Sequence, residues 1–406
     1  MQKFEKYSPV VVTEVTTKHE LRQFMQYPNR LYADNPNYIP SFYGDDLSDW
    51  TPGKNPAFDY CEARCWLAWR DGEIVGRIGA ILSHKANDKF GTHRMRFSQV
   101  DFVDDSEVSA ALFGTVERWA REKGCDQVHG PLGFTDMDRE GMLVEGFDRR
   151  SLFFTNYNAP YYLEHLTRLG YRKDVDWIEY RITVPAPGSA EAERLHKLSE
   201  FILKRKHLHV ATVHHKSEYG PFVRQVFELV NAAYAPLYGV VELSDEQIER
   251  YANKFIPLVD PDFVCFVVDE QDQLVAFGVT ALDPSPALKH SDGRLFPFGW
   301  AEVLNDLHHG DTLIMLLTAV RPDLQTEGIN AVMMDHVCQS CNRHGVRFAE
   351  TGPMLENNDH ILAQWKRLEK EQHKRRRCFI KDLDHDVNAA NAAAAQTETP
   401  ETESAE

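Results

Sequence analysis

Long apolar runs are missing from this chain. The longest, Leu313 to Val320, contains Thr318 and has the length of a buried strand, far short of the ~18 residues a membrane span needs. No secretory apolar stretch follows Met1-Gln-Lys-Phe-Glu-Lys6. Basic residues are also scarce: 45 Lys and Arg stand against 62 Asp and Glu, a net charge of −17. That disfavours a broad nucleic-acid footprint. Seven of those acids fall within 382–406, which has no Lys or Arg, so the rest of the chain is near −10 and can still hold a local anion site. Cysteine is sparse, odd in number at seven, and scattered, which speaks for reduced thiols rather than a disulfide framework. The expectation is a cytoplasmic protein without a transmembrane segment, for which peripheral contact with a lipid surface stays open.

What is present is ample core material. Of 406 residues, 43% are hydrophobic and 11% aromatic, enough for two or three domains. A helical stretch is expected at Lys18–Tyr32, and Asp71-Gly72 between two apolar runs signals a hairpin over Cys65–Leu82. A strand follows at Arg96–Phe102. Asp105 and Ser106 then cap a helix with apolar residues at Val108, Ala111, Leu112, Val116 and Trp119, ended by Gly124. A helix at Pro160–Leu169 and a strand at Trp177–Val184 close this unit. After a Pro- and Gly-containing linker at 184–190 the order recurs. Helices are expected at Glu191–Lys206, Pro221–Tyr234 and Asp245–Phe255, a hairpin at Phe263–Thr280, and a strand at Thr312–Val320. A turn and helix follow, then a strand at Arg347–Glu350, a helix at Asp359–Lys370 and a strand at Arg377–Lys381. The pattern is two copies of one α/β plan, dividing the chain into 1–184, 190–381 and a low-complexity acidic tail, 382–406, expected to be disordered.

The most informative segment runs from Leu316 to Met334: strand, polar turn, amphipathic helix. Gly328 permits a sharp turn, and free amides at the helix start make an anion nest. Within it, Val320-x-Pro322-x-x-Gln325-x-x-Gly328-Ile329 resembles the pyrophosphate loop of the GNAT acyltransferases, with Asn330 where that family has Gly or Ala. Wider segments are similar to one tandem GNAT-like family that includes bacterial ceramide synthase-like proteins and uncharacterised N-acetyltransferases: Gly293-Arg-Leu-Phe-Pro-Phe-Gly-Trp300, Glu145-Gly-Phe-Asp148 and Tyr157-Asn-Ala-Pro-Tyr-Tyr162.

The resemblance implies two tandem GNAT-like domains, each a mixed twisted sheet flanked by helices, and acyl-CoA as acyl donor. It implies an N-acyltransferase moving an acetyl or long-chain acyl group to a small-molecule or lipid amine. Thr318, Ala319 and Val320 would hold the pantetheine arm. Gln325, Thr326, Glu327, Gly328, Ile329 and Asn330 would hold the pyrophosphate. Glu350 or Glu356 is the candidate base, because an amine must lose a proton to attack a thioester, and Asn358 matches an Asn that opens the next helix. Trp365 stands where many members have an acidic Tyr, and indole N–H is no useful acid. The corresponding joint of the first half, Val103–Val108, is acidic and lacks glycine, so the donor is assigned to the second half. Asp136, Asp138, Glu140, Glu145 and Asp148 form an acidic group that either serves an amine or is a solvated loop. Tyr157, Tyr161, Tyr162 and His165 read as core. Cys338, Cys341, His336 and His344 share one helix and cannot converge on one ion, so no metal is expected. The Lys374–Arg377 run is read as solvated. The alternative to an enzyme is a non-catalytic binding protein with the GNAT fold.

Overall fold

A computed structural model of the chain describes residues 8–383; apart from Asp382 and Leu383, the expected acidic tail lies outside the described residues. The first half contributes β1 (Val11–Glu14), β2 (Cys61–Arg70), β3 (Glu73–Ser83), β4 (Arg94–Phe102), β5 (Gln127–Gly130), β6 (Met142–Glu145) and β7 (Arg172–Thr183). The second contributes β8 (His209–Val210), β9 (Val264–Val268), β10 (Leu274–Leu282), β11 (Thr312–Val320), β12 (Phe348–Glu350), β13 (Met354–Leu355) and β14 (Lys370–Asp382). Local chemistry builds these elements as the sequence suggests. Asp71 and Gly72 take φ values of 52° and 81° between β2 and β3, the left-handed pair a two-residue hairpin demands. Asp105 caps the helix Ser106–Glu122 by accepting from the amides of Glu107 and Val108.

All strands belong to one sheet, in the order β1-β2-β3-β4-β5-β14-β7-β12-β11-β10-β9-β8, with β6 on β14 and β13 on β7. The halves exchange their last strands: β14, from the end of the chain, sits between β5 and β7, and β7 sits between β14 and β12. The sheet therefore runs unbroken across the linker. Within each half one parallel pair is short. β4 meets β5 only over Arg94–Arg96, and β11 meets β12 only over Thr312–Ile314. Beyond those points the strands diverge, leaving one edge of Phe97–Phe102 and of Met315–Val320 without a strand neighbour.

Three expectations need correction. The helix Asp359–Lys370 is only Asp359–Ala363 followed by a 3-10 turn, Gln364–Arg367, and the strand expected at Arg377–Lys381 spans Lys370–Asp382. The basic run is not solvated. Alternation along β14 turns Lys374 and Arg376 inward, where both are fully buried and pair with Glu179 of β7, Lys374 at 3.1 Å. Arg375 and Arg377 point the other way, onto Asp176 at 3.1 and 2.7 Å. Burial would raise the Glu179 pKa, but Arg376 and Lys374 outweigh it and hold it at about 2. Removing either side of such a buried, paired charge set would leave an uncompensated charge in the core.

Candidate functional site

The second-half divergence is shaped by a bulge. Val279 pairs with Leu317 and Thr280 with Met315, so Leu316 is the extra residue of β11. Just beyond, Tyr234 donates its hydroxyl to the Thr318 carbonyl at 2.8 Å, and Thr318 donates its own to Phe277 at 3.1 Å. After Val320 the chain makes a short 3-10 turn, Pro322–Leu324, and enters the helix Asn330–His344 through Gly328 at φ 80°. A Cβ at Gly328 would lie 3.2 Å from Ile202. No side chain caps this helix, and among the described residues the amides of Gln325, Thr326, Gly328, Ile329 and Asn330 have no hydrogen-bond partner. The acids of the turn are already engaged: Glu327 pairs with Lys206, and Asp323 with Arg321 at 2.8 Å. Lys206 holds the Glu327 carboxyl below its ordinary pKa. Five unpartnered donors on a glycine-bent turn, its carboxylates neutralised, can form an anion seat.

From Asn330 at this seat a narrow pocket runs between the helix Asn330–His344 and the sheet, lined by Gly278, Met315, Thr318, Met333, Cys338 and Trp365 among others. Trp365 is buried and directs its Nε1 at the Met354 sulfur, 3.2 Å away. Asn358 caps the short helix after it, accepting from Ile361 at 3.3 Å. On the opposite face lies a second, small apolar pocket between Val226, Phe227, Ala252, Val259 and Phe266. Leu317 borders both spaces.

The two candidate bases are not brought together. Lys374 and Arg375 face opposite sides of β14, and each holds one of them. Glu350 lies 3.3 Å from Lys374, and burial raises its pKa against that pull. Glu356 is clamped by Lys173 and by Arg375 at 2.7 Å. The acidic group of the first half divides as well. Asp138 accepts from the amides of Phe134 and Thr135 and from the Tyr251 hydroxyl, Glu145 pairs with Arg375, and Asp148 with Arg149. Asp136 and Glu140 have no ion-pair partner among the described residues and are half-buried. Burial, then the like charge of Asp138, lifts Asp136 to about 6. Burial and the Asp136 charge carry Glu140 well above the carboxylate range.

Their loop docks on the second half. Thr135 bonds the Tyr251 hydroxyl at 2.7 Å, Arg96 links Gly133 to Gly239, and Met137 packs on the cluster containing Leu316, Leu317 and Tyr234. Burial raises the Tyr234 pKa to about 12, with the Asp136 charge adding to it. Asp136 thus stands near the phenol that grips Thr318. The sequence named these acids; only the packing separates the unpaired two from the rest. Tyr234 carries no motif and was not singled out. The helix bearing Cys338 and Cys341 holds them as buried thiols. Elsewhere His129, Asp174 and Cys378 approach one another, with the Tyr238 hydroxyl hydrogen-bonded to all three.

In the first half the equivalent opening is shut. Tyr162 accepts from the Phe102 amide at 2.8 Å, Tyr161 donates to the Phe102 carbonyl, and Tyr32 bonds Tyr162 at 2.8 Å. Asp105 takes the free amides of the following helix, and Arg70 ties Asp105 and Glu107 together.

No protein-family model matches the chain. Protein YghO of Escherichia coli (strain K12) is 27% identical over 383 residues, spanning 92% of this chain and 95% of that protein. The bacterial ceramide synthase of Caulobacter vibrioides (strain NA1000 / CB15N) is 28% identical over 299 residues, spanning 72% of this chain and 75% of that protein. Among solved structures, a tandem GNAT protein from the clavulanic acid biosynthesis pathway superposes with a TM-score of 0.53 at 14% identity, covering 93% of this chain and 99% of its own. A GCN5-related N-acetyltransferase from Sphaerobacter thermophilus gives 0.50 at 12%, covering 93% and 97%. With its duplicated sheet and its two divergent strand pairs, the chain has the tandem GNAT-like fold of these structures, and its sequence is similar to that of a bacterial ceramide synthase.

Proposed function

We propose that the second half binds an acyl-CoA and transfers its acyl group to the nitrogen of an amine. The observation that carries this reading is the set of five unpartnered amides between Gln325 and Asn330, at the mouth of an apolar pocket that ends at a bulged strand edge. The pyrophosphate takes the amides, with Gly328 allowing close approach, and the pantetheine arm lies along Thr318–Val320. Apolar space beyond Leu317 favours a long acyl chain over acetyl, and the relative named a ceramide synthase supports a long-chain amine acceptor.

In the reaction the amine nitrogen bonds to the thioester carbon, the carbon–sulfur bond breaks, and CoA leaves as the thiolate. The amine's proton passes to a carboxylate. Asp136, unpaired and raised to about 6, has the pKa a general base needs near neutrality. Glu350 is the alternative on the strand, already engaged by Lys374.

Gly328→Glu places bulk and negative charge in the seat. The expected outcome is loss of the thermal shift given by CoA, which for wild type at ~100-fold its Kd is about 2.7 kcal/mol, together with loss of thiol release. Gly328→Asn, which tolerates a positive φ, controls for backbone strain. Unchanged turnover in Gly328→Glu would remove this loop from the reaction.

One observation favours a second reading, a non-catalytic acyl-CoA-binding protein: the Trp365 N–H faces Met354 and offers the departing thiolate no proton. A CoA-dependent thermal shift without thiol release for any of a range of acyl-CoA lengths and amines would select it.

A further inference from the structure

The segment Gly293–Ala301 carries a concentration of exposed apolar side chains unlike the rest of the surface. Phe296 is 83% exposed, Phe298 75%, Trp300 49%, Leu304 42% and Leu295 36%. The segment is nonetheless firmly built. Gly293 donates to Leu288 at 2.9 Å and accepts from Tyr43 at 3.0 Å, and Trp300 donates its amide to Leu295 at 2.9 Å. A Cβ at Gly293 would meet the Ser41 carbonyl at 2.0 Å, and one at Gly299 the Arg294 carbonyl at 2.1 Å. The Trp300 indole N–H is satisfied within the loop by Pro297, at 3.1 Å. Two glycines therefore hold a bend whose effect is to point aromatic rings at solvent, and apolar patches of this kind mark an interaction surface.

Charge and area identify the occupant. Between Gly293 and Ala301 the single charge is Arg294, exposed and without a carboxylate partner among the described residues, its guanidinium 5.6 Å from the Tyr43 ring. Of the neighbouring acids, Glu302 bonds His290 at 2.7 Å and Asp306 accepts from Ala287 at 2.8 Å, while the exposed Asp292 acts on the charge of Lys289. The protruding rings and two leucines offer roughly 400–600 Å², below the ~800 Å² per partner of a stable protein interface. Aromatic tips with a cation at their root suit instead the boundary between lipid headgroups and acyl chains. Through Gly293 the loop is also tied to Ser41 and Tyr43, and Ser41 belongs with Phe42, Asp46, Phe154 and Lys254 to the wall of a pocket between the halves.

We infer that Leu295–Trp300 is a membrane-docking loop that inserts its aromatic side chains into the surface of a phospholipid bilayer. The inference needs no acyl-transfer activity, so its test is separate from that of the proposed reaction. The full chain is floated with vesicles of mixed phosphatidylcholine and phosphatidylglycerol. Wild type is expected to float. The double variant Phe296→Ser/Phe298→Ser should lose partitioning by about tenfold or more, and Arg294→Glu by roughly fivefold at low salt. Because these side chains face solvent, the variants should melt with wild type. Trp300 fluorescence, taken as the difference from Trp300→Phe, should be quenched by brominated lipid. A wild type that stays with the soluble fraction, or a double variant that floats equally well, overturns the inference. So does a vesicle-free dimer that the double variant abolishes, which would assign the patch to a second copy of this chain.

Discussion

The first half and the second half begin from the same backbone event and end in opposite states. Each has a short parallel pair that diverges after three residues, followed on the outer strand by a turn into a helix. In the first half, hydroxyls from Tyr161 and Tyr162 take both backbone groups of Phe102, and the Asp105 carboxylate takes the helix amides. In the second half the turn is glycine-bent and uncapped, and its acids are drawn aside by Lys206 and Arg321. The fold supplies an opening; a handful of side chains decide whether it is a site or part of the core. The closed half is not idle, since the loop that carries Asp136 packs on the open one.

The comparison presumes that both halves share one sheet, and the exchanged strand is where that can be broken most severely. Arg376→Ala leaves Glu179 with one cation in a fully buried position. Removing one partner of such a set costs about 3–5 kcal/mol. Chemical denaturation should show that loss as a single cooperative transition for the whole chain. If only part of the chain unfolded early, the halves would be independent and the unbroken sheet would not describe their coupling. Arg375→Ala, on the partly exposed face, should cost less.

The next effect sharpens the division of labour. If Asp136 is the base, it must be ionised, so turnover should fall as the pH drops through about 6. Asp136→Asn should remove that limb and lower turnover by about 10²–10⁴-fold while CoA still stabilises the protein. Linkage gives a second sign. A carboxyl whose folded pKa is raised costs stability wherever it is ionised, above its folded pKa, and that cost is absent below its ordinary pKa near 4. The variant should therefore be more stable than wild type at pH 7 and no more stable at pH 3. A variant both less active and less stable would make Asp136 a structural residue.

Acid sensitivity follows from groups with depressed values. Burial holds His129 at about 4 and His373 at about 3, so each favours folding while neutral. Their contribution is complete above ~6.5 and declines as the pH falls toward those values. Glu179, at about 2, adds a loss beginning near pH 4.5. Asp136 and Glu140 work against this decline. In Asp136→Asn the midpoint of thermal unfolding should consequently fall more steeply between pH 6.5 and 4 than in wild type.

Much of this arrangement was legible because it is local. The Asp71-Gly72 hairpin, the Asp105 cap and the strand-turn-helix around Gly328 each depend on residues a few positions apart. What escaped depends on distant partners. The Lys374–Arg377 run looks like solvated charge until Glu179 and Asp176 are set beside it, and that pairing also explains why the last strand begins well before Arg377. Glu356 looks like a base until Lys173 and Arg375 engage it. Phe296, Phe298 and Trp300 have the composition of core residues, and only the tertiary structure leaves them in solvent.

The smallest effect bears on the closed half. Tyr162→Phe removes the acceptor of the buried Phe102 amide and should cost about 1–3 kcal/mol. Asp105→Ala removes the cap and should cost ~1 kcal/mol. Neither should create a second CoA site, because Glu107 remains on the first turn of that helix and there is no glycine bend. Isothermal titration of Asp105→Ala with CoA should still give one site per chain, with wild-type affinity. A second binding event would mean that the Asp105 carboxylate alone separates the halves. An unchanged stoichiometry places the difference in the bend at Gly328, the one element the first half has no counterpart for.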